Sequence, residues 1–431
     1  MNWYLAVIVA SLSLAWGLRT LARSLNRKAL PPAPPAGFAD LFDADTYRKS
    51  QDYAKARMGH EGREDAFFTA LTLAVMLLGG FNVLDLWTRG LGLSPLVTGL
   101  VFIAALWLAS DLLRLPLDLH ETFVLEARFG FNTTTPAVFV WDKLKGWVLT
   151  LAIGGPVLWA VLWFLATAGP YAWLYCWAVT ALISLALAYV APTWILPLFN
   201  RFTPLGPGEL RQALEEYAGR NGFTLTGLFV MDGSKRSTKS NAFFTGFGSK
   251  RRIALFDTLV TRHTPREILA VLAHEVGHWK MGHIRKQIVI GLVKSGLIFW
   301  LLSIFLNSPG LFAAFGLPPE RMSPAAGLVF FGLLYTPLSL VLSVAFNGLL
   351  RRFEYQADAF AARTTGDPAA LVQALRKLSL DNLSNLTPHP LTVALDYTHP
   401  PLVARVAALE KMSPGPTAPD APWTPGRKSV Q

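Results

Sequence analysis

The chain has 431 residues, of which 52% are hydrophobic and only 16% charged, with a mean hydropathy of +0.37 and a formal net charge of +11. This is too apolar for an ordinary water-soluble globular protein, so a membrane protein is indicated. A single cysteine, Cys176, excludes a disulfide framework and a cysteine metal site, and the lack of basic runs interleaved with aromatic residues argues against a nucleic-acid partner.

Seven long apolar runs, at about 3–22, 67–87, 95–114, 147–169, 171–195, 287–307 and 325–346, can each cross a hydrocarbon core about 30 Å thick. The expected fold is therefore mainly α, a polytopic protein with seven transmembrane helices. The first run lacks a basic segment ahead of it and is followed by Arg19, Arg23, Arg27 and Lys28, so it reads as a reversed anchor and not as a signal peptide. Pro31, Pro32, Pro34 and Pro35 form a stiff linker, and 45–59 reads as an amphipathic helix lying against the membrane face. The loop after the first run also carries Arg48, Lys49, Lys55, Arg57 and Arg63, and the loop at 115–146 holds Arg128, Lys143 and Lys145. The opposite loops hold only Arg89 and Arg321, so the positive-inside rule puts the N-terminus outside and the C-terminus in the cytosol.

The segment 196–286 reads as soluble: a helix at about 208–220, a strand at 225–231, a polar linker at 232–239, and a hairpin-like pair at 241–247 and 252–256 around Gly246 and Gly248. Thr264 as N-cap, Pro265 at the first helical position and Glu267 three residues after the cap start a helix that Gly282 ends. Segments 1–195 and 287–346 hold the spans, 347–411 forms a second cytosolic segment, and 412–431 is a tail expected to be disordered.

The helix that begins at Thr264 carries His274-Glu275-x-x-His278. Residues four apart share one helix face, so both imidazoles can reach one ion, with Glu275 beside it. Two imidazoles leave room for a third protein ligand and a water, the open arrangement of a catalytic zinc. A carboxylate within reach can take the proton of that water during attack on a peptide carbonyl. A third histidine six residues on, common in such sites, is ruled out because that position is Ile284, and His283 is a weaker alternative. Farther along, Glu354 and Asp358 also lie four apart on a helix leaving the last span. One could bind zinc while the other orients a ligand histidine; spacing alone leaves an exposed acidic face equally open.

These residues resemble those of the type I CAAX prenyl proteases, gluzincin-like zinc metallopeptidases of the membrane. The resemblance is carried by 126–132 (EARFGFN), 197–200 (PLFN), 203–205 (TPL), 240–244 (SNAFF), 254–257 (ALFD), H-E-x-x-H, E-x-x-x-D at 354–358 and 399–402 (HPPL). It implies one zinc per chain held by His274, His278 and Glu354, with Asp358 as a partner behind them. It further implies that Asn241 binds substrate backbone along an edge strand, that His399 steadies the oxyanion and that Arg405 is an orienting charge close to the substrate. It also implies that the spans enclose a chamber with the zinc at its cytosolic end. The expected substrate is an extended peptide or protein, prenylated or not, beside membrane lipid. Removal of the last three residues of a prenylated cysteine motif, broader quality-control proteolysis, and a transporter or scaffold with structural zinc remain three readings, and Glu275 argues against the last. The Ala-, Leu-, Arg- and Pro-rich usage points to a bacterial cytoplasmic membrane, with the endoplasmic reticulum membrane as the eukaryotic counterpart and the active site toward the cytosol in either case.

Overall fold

The computed structural model describes residues 2–245 and 252–412. Five of the seven apolar runs lie on single helical stretches and two on bent pairs of helices. Five helical stretches are long and apolar enough to cross a membrane: Trp3–Lys28, Pro95–Glu126, Pro136–Thr167, Gly169–Phe199 and His283–Phe305. Two more spans arise if each bent pair counts as one, Ala44–Leu77 with Gly80–Gly90 at 67° and Pro324–Leu334 with Thr336–Thr365 at 56°. Local chemistry sets both bends. Gly79 adopts φ +74° between the first pair, and Pro337 stands in the first turn of the helix after the second break. Helix starts are similarly marked. Thr135 accepts from Val138 N and Ser323 from Ala326 N, each followed at once by proline.

The amphipathic helix expected at 45–59 is the first half of one continuous helix, Ala44–Leu77, so its cytosolic part and its span are a single rod. Large exposed apolar side chains, Trp16, Trp87, Trp159, Trp163 and Trp300 among them, sit on the spans, as a lipid-facing surface requires.

The soluble part is built on a small mixed sheet of four strands, β1 (Phe202–Pro204), β2 (Gly227–Met231), β3 (Ala242–Thr245) and β4 (Arg252–Phe256), in the order β1-β2-β4-β3. β2 and β4 run parallel, while β1 and β3 flank them antiparallel, with Ala242 opposite Leu255 and Phe243 opposite Ala254. β3 is thus an edge strand. The turn expected around Gly246 and Gly248, and the tail from 413 to 431, lie outside the described residues. Segments far apart in sequence share one apolar core: Phe38 and Phe42 from the first loop, Leu214, Leu255, Ile268, Val276, Ala361, Leu371 and Leu409.

The linker that leads into β3 is fastened to the membrane helices. Arg236 makes a bidentate pair with Asp142 at 2.7 and 2.9 Å and donates to Asn200 Oδ1 and Phe199 O. Lys239 donates to Glu126 Oε2 and to the Tyr53 hydroxyl, both at 2.7 Å, and Ser240 N donates to Asn382 Oδ1.

The helix Pro265–Lys280 packs against Thr336–Thr365, Pro368–Asp381 and Glu209–Arg220. Its expected capping box is present: Glu267 N donates to Thr264 Oγ1, and Thr264 N to Glu267 Oε2. At Gly277 it meets the helix Thr336–Thr365 so closely that a Cβ would stand 3.2 Å from Ala357 Cα, Ala357 O and Phe360 Cβ. Neither backbone contact can give way alone. Gly277→Ala is therefore expected to part the two helices and lower stability by about 1–3 kcal/mol, with zinc affinity falling in parallel. Wild-type zinc affinity and an unchanged melting temperature in that variant would show the contact to be tolerant.

Candidate metal centre and active site

The close crossing brings together three donors from two helices. His274 Nε2 and His278 Nε2 lie 3.1 Å apart. His274 Nε2 is 3.4 Å from Glu354 Oε2, and His278 Nε2 is 3.2 Å from Glu354 Oε1. Nitrogen and oxygen ligands about 2.0–2.1 Å from a tetrahedral zinc stand about 3.3–3.4 Å from one another, which these separations match. Among the described residues this is the one group of three or more His, Cys, Asp or Glu placed to hold a metal ion. The donor chemistry fits as well. Two ring nitrogens and a carboxylate converge, and the buried Glu354 Oε2 has no hydrogen-bond partner.

Behind the donors lies a chain of buried charge. Asp358 Oδ1 accepts from His274 Nδ1 at 2.8 Å, so that in the neutral ring Nε2 presents its lone pair to the donor cluster. Arg405, from the last described helix, Leu402–Glu410, holds Asp358 through Nε at 2.8 Å and Nη2 at 2.7 Å. Its Nη1 stands 3.6 Å from Glu354 Oε2, and only 8% of the residue is exposed. Burial opposes a proton on His274, but the Asp358 and Glu354 carboxylates overcome it and push that pKa up to about 9. The pocket therefore favours positive charge at the ring, whether a proton or a metal ion supplies it.

The remaining expected residues fall at different distances from this centre. Glu275 is half-buried, one residue on from His274 on the same helix. His399 Nε2 lies 3.5 Å from Glu354 Oε1, its Nδ1 lies 2.9 Å from the Thr398 hydroxyl, and most of its side chain is exposed, so the ring flanks the open side of the cluster. Asn241 is exposed just before β3, where its Oδ1 accepts from Ala242 N and its carbonyl from Phe256 N. Arg405 sits behind the ligand set and not at its open side. Arg236 and Lys239, which tie the linker before β3 to the membrane helices, escaped the sequence reading, although both lie in the stretch recognised there only as polar.

The two halves of the chain match two family models in succession. Residues 24–201 match "CAAX prenyl protease N-terminal, five membrane helices", and residues 204–413 match "Peptidase family M48". The chain belongs to the CAAX prenyl protease branch of peptidase family M48. It is 40% identical to CAAX prenyl protease 1 homolog of Arabidopsis thaliana, over 90% of this chain and 92% of that protein. With the mouse homolog the identity is 34%, over 87% and 88% of the two chains, and with CAAX prenyl protease 1 of Saccharomyces cerevisiae it is 33%, over 91% and 90%. The crystal structure of S. mikatae Ste24p superposes with a TM-score of 0.90 at 32% identity, covering 94% of this chain and 99% of that one. This M48-family member is accordingly an integral multi-pass membrane protein and a zinc metallopeptidase. The relatives named here are eukaryotic.

Proposed function

We propose that the protein removes the last three residues of prenylated proteins bearing a C-terminal cysteine motif, with one zinc per chain held by His274, His278 and Glu354. The observation that carries the chemistry is the convergence of those three side chains, with Asp358 and Arg405 behind them, beside a half-buried Glu275. The substrate class rests on the relatives, which are CAAX prenyl proteases along almost their whole length. Zinc bound there supplies a Lewis acid that lowers the pKa of water toward about 7 and polarises the scissile carbonyl.

The chain's own residues divide the remaining work. Glu275 takes the proton of the attacking water and returns it to the leaving amine. Asp358 keeps His274 in the tautomer that presents Nε2, and Arg405 keeps Asp358 ionised and in place, so its role is orientation and not substrate contact. His399, on the open side of the cluster, donates to the carbonyl oxygen as charge develops on it. The free edge of β3 pairs with an extended peptide, and Asn241 holds peptide backbone at its start. The lipid occupies apolar space beside the spans, many of whose large apolar side chains are exposed.

Substitutions should sort these roles. Glu275→Gln is expected to keep zinc and lose peptidase activity, whereas Glu354→Ala should lose zinc as measured by elemental analysis. His399→Ala should lower kcat by about 10²–10³ with zinc retained and KM little changed, while Asn241→Ala should mainly raise KM. Full zinc occupancy in Glu354→Ala would move the third ligand elsewhere, and wild-type turnover in His399→Ala would remove that ring from catalysis.

The lipid is tested with one Cys-motif peptide in farnesylated and unmodified forms. Burying a fifteen-carbon chain is worth several kcal/mol at about 25 cal/mol per Å², so kcat/KM should favour the farnesylated peptide by orders of magnitude. Equal values, with internal cleavage of unrelated extended chains, would favour a broad quality-control peptidase.

The charge asymmetry of the loops supports a site on the cytosolic side. Cys176 is buried, so introduced thiols report cleanly. Gln212→Cys should react with an impermeant reagent only after the cytosolic face is opened, and Glu320→Cys should react from outside. The opposite labelling would invert the topology.

A further inference from the structure

His283 directly follows Gly282, whose left-handed backbone (φ +67°) ends the H-E-x-x-H helix and starts the helix His283–Phe305. That turn brings the His283 ring back against His278. Its Nδ1 lies 3.1 Å from His278 Nδ1, and its Nε2 lies 2.9 Å from Gln356 Oε1. The ring stacks on Phe353 with centroids 4.2 Å apart and planes within 8°, and the residue is fully buried.

The donors and acceptors in this chain can be followed atom by atom. The Gln356 carbonyl oxygen only accepts, so His283 Nε2 carries the proton between them. In the neutral ring Nδ1 is then a lone pair. Two N–H groups cannot face each other at 3.1 Å, so His278 Nδ1 must be the donor in that contact. This leaves the lone pair of His278 on Nε2, the atom 3.1 Å from His274 Nε2 and 3.2 Å from Glu354 Oε1.

We propose that His283, fixed by Gln356 and Phe353, is a positioning residue of the metal site: it accepts the Nδ1 proton of His278 and so holds that ring in the tautomer that ligates through Nε2. The proposal rests on the zinc reading above. It also explains why the two ligand histidines are supported so differently. His274 is oriented by a carboxylate whose charge Arg405 balances, and His278 by an uncharged ring. A carboxylate in the place of His283 would bring a further negative charge to the ligand set, whereas a neutral acceptor orients the ligand and adds none.

Zinc affinity of the full-length chain in detergent, measured by competition with a chelating dye, tests this without reference to activity. His283→Leu keeps comparable bulk but has no acceptor, and should weaken zinc binding about 10–100-fold while the metal-free protein melts as wild type does. His283→Asn puts a carbonyl oxygen near the Nδ1 position and should recover most of that loss. Wild-type affinity in the Leu variant would overturn the proposal, as would equal losses in the Leu and Asn variants, which would mean that the ring matters for packing alone. If the Leu variant fails to fold, Gln356→Met decides, since it leaves the ring in place and removes only the group that sets its tautomer. A weaker zinc affinity there supports the proposal, and an unchanged one overturns it. Absence of zinc from both wild type and Glu275→Gln would instead sink the zinc reading, and this proposal with it.

Discussion

Everything at the centre depends on two helices touching at Gly277 with no side chain between them. One of these helices is soluble and carries His274, Glu275 and His278; the other continues a membrane span and carries Glu354 and Asp358. A ligand cluster with edges of 3.1–3.4 Å tolerates little displacement, so the crossing distance fixes the coordination geometry. Bound metal would in turn tie the membrane part to the soluble part, because neither half owns a complete ligand set.

Charge in this region is buried, and it is kept there by pairing. Glu354, Asp358 and Arg405 are each at least nine-tenths covered, and the guanidinium is shared between the two carboxylates. Removing one member of such a group leaves an uncompensated buried charge, at a cost of about 3–5 kcal/mol. The helix that delivers Arg405 begins three residues after His399, with Pro400 and Pro401 between. One short stretch of chain therefore closes the cluster from two sides, His399 at its open face and Arg405 behind it.

Much of this was legible in the sequence where a local rule decides the matter. Apolar runs of about twenty residues marked the spans, and Thr264, Pro265 and Glu267 marked the start of the H-E-x-x-H helix. The pair Glu354 and Asp358 was visible as one face of a helix, but spacing alone could not tell a ligand from an exposed acidic stripe, since that depends on which helix lies opposite. The bends have local markers, Gly79 and Pro337, but a glycine or a proline gives the place of a break and not its angle of 67° or 56°. His283 illustrates the same limit. Its spacing from His278 suggested only a weaker alternative ligand, while the ring is fully buried against Gln356 and Phe353 from a different helix. The ties made by Arg236 and Lys239 join residues about a hundred positions apart and leave no periodic signature.

Those ties bear on how a peptide would be measured out along β3. The strand's entry is held to Asp142, Asn200, Glu126 and Tyr53, all on or beside helices that run into the membrane. The partly buried pairs among them are screened little by salt, so this attachment behaves as a fixed origin and not as a loose tether. A chain that paired with the edge of β3, as proposed, would thereby be registered against the membrane helices, and the number of residues between them and the ligand cluster would be a constant of the fold. In the proposed function, such a constant is what separates cutting at a set distance from a lipid-bearing residue from cutting wherever an extended chain happens to lie.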